Sequence, residues 1–250
     1  MVDAPLPRRA LAELLGSAFL AATVIGSGIA AARLSPGDIG LQLLENAAAT
    51  ATGLFTFVLV FGPISGAHFN PVVSLVDSAL GGLRRRDLLA YLPAQVAGCI
   101  LGAVVANAMF GLAAISISTT HRASIPHLLA EVVATLGLLL VIFALARTHR
   151  GQTAPAAVGA YIAAAYFFTS STSFANPAID IGRMFSDTFA GIAPASVPAF
   201  IVFQLLGGLV AIGVIRVLYP DITAEEASEI LIPHEVVDGD RSRAAAREGV

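Results

Sequence analysis

The sequence predicts an all-α membrane protein: a bundle of six transmembrane helices with two re-entrant half-helices, built from an inverted three-span repeat. Two kinds of observation lead there. The chain is 56% hydrophobic and only 12% charged, with a mean hydropathy of +0.82, whereas soluble domains carry about 25% charged residues. The sequence also divides into two halves that share three short motifs in the same order.

Six apolar segments are long enough to cross the hydrocarbon core, which takes roughly 20 helical residues. They cover residues 10–32, 47–64, 88–115, 125–146, 154–170 and 197–218. Two arginines precede the first segment, as they would in a signal peptide. That segment is too long for a signal peptide and contains Glu13, so we expect a retained first span.

Several classes of function are disfavoured by composition. The net charge of −3 gives no indication of a nucleic-acid partner, and the single cysteine, Cys99, allows no disulfide framework. No metal-ligand spacing and no set of catalytic residues stands at membrane depth. We therefore expect neither an enzyme nor a cofactor or metal site, and the expected surroundings are a lipid bilayer.

The arginines predict the orientation. The chain has no lysine, and most arginines flanking the spans fall before the first span, between the second and third, or after the fourth, namely Arg8, Arg9, Arg84, Arg85, Arg86, Arg147 and Arg150. These segments share one side of the membrane with both termini, and that side should be cytoplasmic. We expect a multi-pass inner-membrane protein with a cytoplasmic N-terminus (1–9). The tail (220–250) should be polar and cytoplasmic, with one short helix near 224–232.

The internal repeat consists of residues 10–115 and 125–218. Its matched pairs are LAELLGSAFL with LAEVVATLGL, SGAHFNPVVSL with TSFANPAIDI, and PAQVAGCILG with VFQLLGGLVA. Each unit holds three spans, which is an odd number. The second unit should therefore enter the membrane from the opposite face.

The two Asn-Pro pairs predict half-helices at residues 69–80 and 176–187, which are too short to span and too apolar for surface loops. Asparagine is a good N-cap, and proline suits the first helical turn. Inverted entry brings the two N-termini together at mid-membrane, so both asparagines face one central point. The alternative is that each pair marks an ordinary loop turn, and the matching flanks disfavour it.

The motifs SGAHFNPVVSL and SFANPA resemble the paired NPA boxes of the major intrinsic proteins, the aquaporins and aquaglyceroporins. The resemblance extends over roughly residues 10 to 220, and it implies a right-handed bundle with a pore in every protomer of a homotetramer. The box residues would be Asn70, Pro71, Val72, Asn176, Pro177 and Ala178. It also implies that Glu13 and Glu131 support the box loops by hydrogen bonds and that His68 packs the first loop. Read without the resemblance, the two glutamates would be candidate proton or cation sites.

The sequence departs from the family pattern at the outer constriction, the selectivity filter. Ile179 stands where family members carry an arginine, and Val72 replaces the alanine of the first box. The other filter positions implied are Thr50, Ser173 and a residue of the fifth span. Counting from the box gives Ala164 for that residue, whereas matching a glycine gives Tyr166, which we prefer.

A filter without its arginine should be wider, should carry no fixed charge, and should favour small neutral solutes. Arg183 lies one turn beyond Ile179. It is a candidate pore-mouth residue, with snorkelling to the surface or pairing with Asp180 or Asp187 as alternatives. The segment RMFSDTFAGIAP resembles aquaglyceroporins of arsenic-resistance operons, which implies passage of undissociated arsenite besides glycerol, similar polyols and water. A water-dominant aquaporin and a secondary transporter are the alternatives.

Overall fold

A computed structural model of the chain describes residues 4–220, and all regular structure in this range is helical. The α-helices are α1 Leu6–Leu34, α2 Ile39–Ser65, α3 Pro71–Leu80, α4 Arg85–Met109, α5 Ile125–Arg147, α6 Ala154–Phe168, α7 Pro177–Arg183 and α8 Val197–Leu218. The predicted tail beyond Pro220, with its expected short helix, lies outside the described residues. The first three residues of the predicted N-terminal segment also lie outside them.

Five of the described helices, α1, α2, α4, α5 and α8, are long and apolar enough to cross a membrane. The remaining predicted span corresponds to α6, which has 15 residues and follows a 3-10 turn at Gly151–Thr153. At about 1.5 Å per α-helical residue and about 2.0 Å per 3-10 residue, the two together cover about 28 Å. That length is close to the roughly 30 Å hydrocarbon thickness.

The third span ends earlier than predicted, at Met109 instead of residue 115. Gly111 adopts a left-handed φ of +70°, and the backbone N–H of Leu112 donates to the carbonyl of Asn107 at 2.9 Å. This arrangement closes the helix. The apolar run FGLAAISI continues past the stop, so hydropathy alone placed the end too late.

The second half-helix is also shorter than predicted, ending at Arg183 instead of residue 187. The carbonyls of Met184 and Phe185 accept hydrogen bonds from the backbone N–H groups of Ser118 and Ser116, at 2.8 and 3.1 Å. These carbonyls therefore bind the loop that follows α4 instead of extending α7 as a helix. The first half-helix ends at Leu80 as predicted.

The glycines of the two Gln-x-x-Gly motifs hold equivalent places in the two halves. A Cβ at Gly98 of α4 would lie 2.3 Å from the carbonyl oxygen of Leu14 in α1, and one at Gly207 of α8 would lie 2.7 Å from that of Val132 in α5. Both contacts leave no room for a side chain. Each half thus packs its first and last long helices backbone to backbone, which brings the glutamate of one next to the glutamine of the other.

Candidate functional site

The two half-helices meet at their N-termini in the centre of the bundle. The side-chain nitrogen of Asn70 donates to the backbone carbonyl of Ala175 at 2.7 Å, and that of Asn176 donates to the carbonyl of Phe69 at 2.8 Å. Each asparagine therefore binds the residue that precedes its counterpart. This reciprocal pair of bonds fixes the two helix ends against each other.

Each asparagine also caps its own half-helix. The side-chain oxygen of Asn70 accepts from the N–H of Val72, and that of Asn176 accepts from the N–H groups of Ala178 and Ile179. An amide nitrogen carries two hydrogens, and the reciprocal bond uses one of them. Because both asparagines line a cavity, the second N–H of each is placed to bind a molecule there.

The loop before the first box is held by Glu13. Its carboxylate accepts from the backbone N–H groups of His68 and Phe69 at 3.0 and 2.7 Å, from the Ser65 hydroxyl at 2.6 Å and from the Gln95 amide at 2.8 Å. These four donors fully engage a carboxylate that is inaccessible to solvent. The contacts are those of a loop support.

Glu131 makes the equivalent contacts in the second half. It accepts from the backbone N–H groups of Phe174 and Ala175 at 3.0 and 2.8 Å, and from the Gln204 amide at 2.6 Å. The two buried glutamates thus occupy matching positions under the two boxes.

Both box loops contain non-glycine residues in the left-handed region. They are Ala67 and Phe69 before the first box, with φ near 49°, and Thr172, Ser173 and Ala175 before the second, with φ of 63°, 53° and 47°. Such backbone is costly, and it persists where surrounding contacts enforce it. The bonds from Glu13 and Glu131 to these loops supply that enforcement.

His68 lies on the cavity wall and also contacts the first half-helix. One ring nitrogen lies 2.9 Å from the Ser74 hydroxyl, and the other lies 3.5 Å from the carboxylate of Asp77. The ring meets Tyr91 edge to face. His68 therefore does more than fill space in the loop, and Ser74 and Asp77 are partners that the sequence analysis did not identify.

Both central asparagines line one cavity, which has a volume of about 70 Å³. Since about 10–15 Å³ holds one water molecule, the cavity has room for several. Apolar side chains of α1, α2, α5 and α6 form a large part of its wall, and these are Leu20, Val24, Leu54, Val58, Leu138, Ile142, Val158 and Ile162. The cavity is thus a mostly apolar passage with a few polar groups at fixed points.

Four residues anticipated for the filter line this cavity: Thr50, Tyr166, Ser173 and Ile179, the last of which belongs to α7. The hydroxyl groups of Thr50 and Tyr166 are 3.1 Å apart. Of the two candidates on α6, Tyr166 is buried on the cavity wall, whereas Ala164 is exposed on the outside of the bundle. The geometry therefore favours Tyr166.

Val72 does not reach the cavity. Its side chain is buried against α8, where a Cβ on Gly208 would lie 2.8 Å from a Val72 methyl group. The expected effect of Val72 on pore shape is therefore at most indirect, because the extra methyl groups occupy the space left by a glycine.

Arg183 lies on the cavity wall and is only 4% exposed. Its guanidinium carbon is 3.4 Å from the centroid of the Phe174 ring, and its Nε donates to the carbonyl of Ala190. In the described chain it forms no ion pair with Asp180 or Asp187, and Asp187 instead accepts from Thr119. The two alternatives considered for Arg183, surface snorkelling and pairing with these acids, are therefore not what the structure shows.

Phe174 was missed by the sequence analysis although the repeat contains the signal. It stands opposite His68 when the two boxes are aligned, and both residues line the cavity. Its ring also lies 5.4 Å from the guanidinium of Arg122. The two ends of the passage are thus built from different side chains at matching positions.

Comparison with known proteins agrees with this architecture. The sequence profile named Major intrinsic protein matches residues 2–186. The chain is 47% identical over 216 residues to Aquaglyceroporin AqpS of Rhizobium meliloti, an alignment that covers 86% of this chain and 92% of that protein. It is 30% identical over 261 residues to the Glycerol uptake facilitator protein of Pseudomonas aeruginosa, covering 86% and 91%.

The fold is also that of a solved member. The X-ray structure of the aquaglyceroporin from Plasmodium falciparum superposes with a TM-score of 0.68 at 21% identity, and the match covers 86% of this chain and 98% of that one. The predicted fold class is thereby confirmed. With its matching profile and relatives, this chain belongs to the major intrinsic protein family of membrane channels.

Proposed function

We propose that this protein is a passive channel for glycerol and similar small neutral solutes, with a filter formed by Thr50, Tyr166, Ser173 and Ile179. The observation that carries the proposal is that one cavity is lined by both central asparagines and by all four of these residues. The names of the relatives, an aquaglyceroporin and a glycerol uptake facilitator, support the same class of solute.

The chemistry of the filter suits polyols. Three of its four residues carry hydroxyl groups, and the hydroxyl of Ser173 is buried without a hydrogen-bond partner in the described structure. A solute with several hydroxyl groups both donates and accepts hydrogen bonds, so it can replace its hydration shell with these side chains. Ile179 supplies an apolar surface for the carbon backbone of the solute. Undissociated arsenite, As(OH)3, is a neutral polyol-like solute of the same kind, and water is small enough to pass with it.

The central asparagines have a separate proposed role. Their free N–H groups donate to the oxygen of a passing molecule, and they do so from both half-helix N-termini, where the helix dipoles are positive. A water held in this way turns its hydrogens away from the centre. A continuous proton wire through the centre is then interrupted.

Assembly and orientation complete the proposal. We infer a homotetramer in the inner membrane with both termini in the cytoplasm, as the family resemblance and the arginine distribution imply. The α7 end of the cavity then faces outward. The two units of the repeat, residues 10–115 and 125–218, each contribute one box and one buried glutamate.

Stopped-flow light scattering on proteoliposomes tests the proposed function. The wild-type protein should pass water, glycerol and neutral arsenite faster than empty vesicles, with a flux linear in the gradient and independent of added ions. Thr50→Trp should reduce all three fluxes because it fills the constriction. The matched control, Thr52→Trp, lies two residues along α2 on an exposed face and should leave them unchanged.

Two results would count against the proposal. A saturable glycerol flux that requires an ion gradient would indicate a secondary transporter. Passage of water alone would leave the water-dominant aquaporin as the better description.

A further inference from the structure

The α7 end of the cavity contains a buried guanidinium whose donors are not used by the protein. Nε of Arg183 binds the Ala190 carbonyl, and its two terminal nitrogens have no hydrogen bond within residues 4–220. The side chain lines the cavity. Because buried polar groups normally have partners, these nitrogens are placed to bind what the cavity holds.

The guanidinium is held in place from one side. Its Cζ atom lies over the Phe174 ring, 3.4 Å from the ring centroid. The ring itself is fixed edge to face against Phe200, with centroids 5.2 Å apart. Arginine stacked on an aromatic ring loses little further freedom when it forms hydrogen bonds, so this side chain is pre-organised as a donor.

A second guanidinium adds positive charge at the same place. Arg122 lies 5.4 Å from the Phe174 centroid and is held by the carbonyls of Gly191 and Phe189 at 2.7 and 3.0 Å. Neither arginine forms an ion pair with a carboxylate among residues 4–220. Two acids interact electrostatically with Arg183: Asp180, which has no ion pair in the described chain, and Glu131, whose oxygens accept backbone N–H groups. This end of the passage therefore carries two guanidinium groups, neither of them neutralised by an ion pair within residues 4–220.

We propose that Arg183, stacked on Phe174 and reinforced by Arg122, is the fixed-charge barrier and the solute-docking group of this channel. It repels cations before they reach the constriction, and its free N–H groups bind the oxygen atoms of a neutral polyol. The inference rests on the proposed channel function. It adds a charged binding position beside a filter whose four residues are uncharged.

The position of this charge has a functional consequence. Ile179 and Arg183 are four residues apart on α7, so their backbones lie about one helical turn apart, and both line the cavity. The charge is therefore supplied by a residue other than the one at the Ile179 position, which stays apolar. Cation exclusion and the passage of molecules larger than water become compatible in one pore.

The test compares Arg183→Gln with Arg183→Lys in proteoliposomes. Both keep a donor near the Ala190 carbonyl, but only the lysine keeps the charge. We measure proton and potassium flux with entrapped dyes, and water and glycerol permeability in the same vesicles. Arg183→Gln should raise cation flux about ten-fold above wild type, because a buried charge acts strongly across low-dielectric surroundings. Arg183→Lys should exclude cations like wild type but pass glycerol more slowly, having lost the planar donor fork.

Arg33→Gln is the matched control. Arg33 also lies over an aromatic ring, Phe110, and donates to a backbone carbonyl, but it is exposed and does not line the cavity. Its cation and glycerol fluxes should equal those of wild type.

The proposal is overturned if Arg183→Gln retains water permeability and excludes cations as wild type does. It is also overturned if the wild-type protein itself conducts potassium above empty vesicles, a result that needs no variant and remains decisive if both variants fail to fold. A wild-type protein that does not pass glycerol would contradict the proposed function instead. Glycerol permeability is measured separately from cation flux in the same vesicles, so the two failures can be told apart.

Discussion

The side-chain nitrogen of Asn70 lies 2.7 Å from the backbone carbonyl oxygen of Ala175, the residue before the second central asparagine. Asn176 repeats the contact in the other direction, to Phe69. These two bonds join half-helices that lie more than 100 residues apart in the chain, as the spacings of 105 and 107 residues show. The two half-helices are thus joined by hydrogen bonds at the centre of the bundle, and the geometry of this centre depends on both boxes.

Asn70→Asp should break the hydrogen bond between residue 70 and the Ala175 carbonyl. A carboxylate has no hydrogen to donate, so its oxygen would face the Ala175 carbonyl, and a buried acceptor pair of this kind costs about 1–3 kcal/mol. We expect a lower thermal unfolding temperature together with increased proton flux. Asn46→Asp is the control, since Asn46 donates to the Val24 carbonyl at 2.9 Å outside the cavity. It should lower stability without changing proton flux, and equal proton leak in both variants would argue against a special role for Asn70.

Glu13→Gln should disturb the first box without changing the size of the side chain. The carboxylate accepts from four donors, and a glutamine offers only one oxygen. Each buried donor left without a partner costs about 1–3 kcal/mol, and the left-handed residues Ala67 and Phe69 lose their support. Water permeability and thermal stability should both fall. Glu45→Gln, at a residue that accepts only from Ser35, should change neither, and an unaffected Glu13→Gln protein would contradict the loop-support role.

The contact between Val72 and Gly208 predicts a suppressor pair. Gly208→Ala places a Cβ 2.8 Å from a Val72 methyl group, and overpacking of this kind costs about 1–3 kcal/mol. Val72→Ala removes the methyl group, so the double variant should regain much of the stability lost by Gly208→Ala alone. Thermal unfolding in detergent measures all three proteins. If the stability losses of the two single variants simply add in the double variant, the two side chains do not share this space.

Tyr166→Phe tests the hydroxyl side of the constriction. The change removes the group that lies 3.1 Å from the Thr50 hydroxyl, so a polyol loses one hydrogen-bonding position while the ring remains. The ratio of glycerol to water permeability should fall about two- to five-fold, in keeping with the loss of one modest hydrogen bond. Tyr161→Phe is matched on the same helix, where the Tyr161 hydroxyl donates to the Ala134 carbonyl at 3.0 Å. An equal shift in both variants would mean that Tyr166 has no specific place in the filter.

Much of this architecture could be predicted because it depends on local signals. Asn70 and Asn176 are each followed by a proline, a pattern that marks a helix start, and the matching Glu13 and Glu131 follow from the repeat. Helix ends were harder: α4 stops at a turn formed by Gly111, and α7 stops where its following carbonyls bind a distant loop. Hydropathy reports neither event.

Positions that depend on contacts distant in sequence could not be predicted in the same way. Counting left Ala164 and Tyr166 as alternatives, and the choice required the rotation of α6, which brings Tyr166 to Thr50 from 116 residues away. The direction of the Arg183 side chain is set by the Phe174 ring and the Ala190 carbonyl. No pattern around Arg183 in the sequence reports those two contacts.

The measurement that tests the account most directly is stopped-flow permeability of Ile179→Arg beside wild type, for water and glycerol. The variant adds a guanidinium at the position of Ile179, whereas the native arginine, Arg183, stands four residues further along α7. The account predicts that wild type passes glycerol readily. In the variant, glycerol permeability should fall about ten-fold or more with water permeability largely kept, because pore diameter and lining donors set selectivity. A wild-type protein that excludes glycerol, or a variant that passes it undiminished, would contradict the assignment of Ile179 as the residue that opens this filter to neutral solutes.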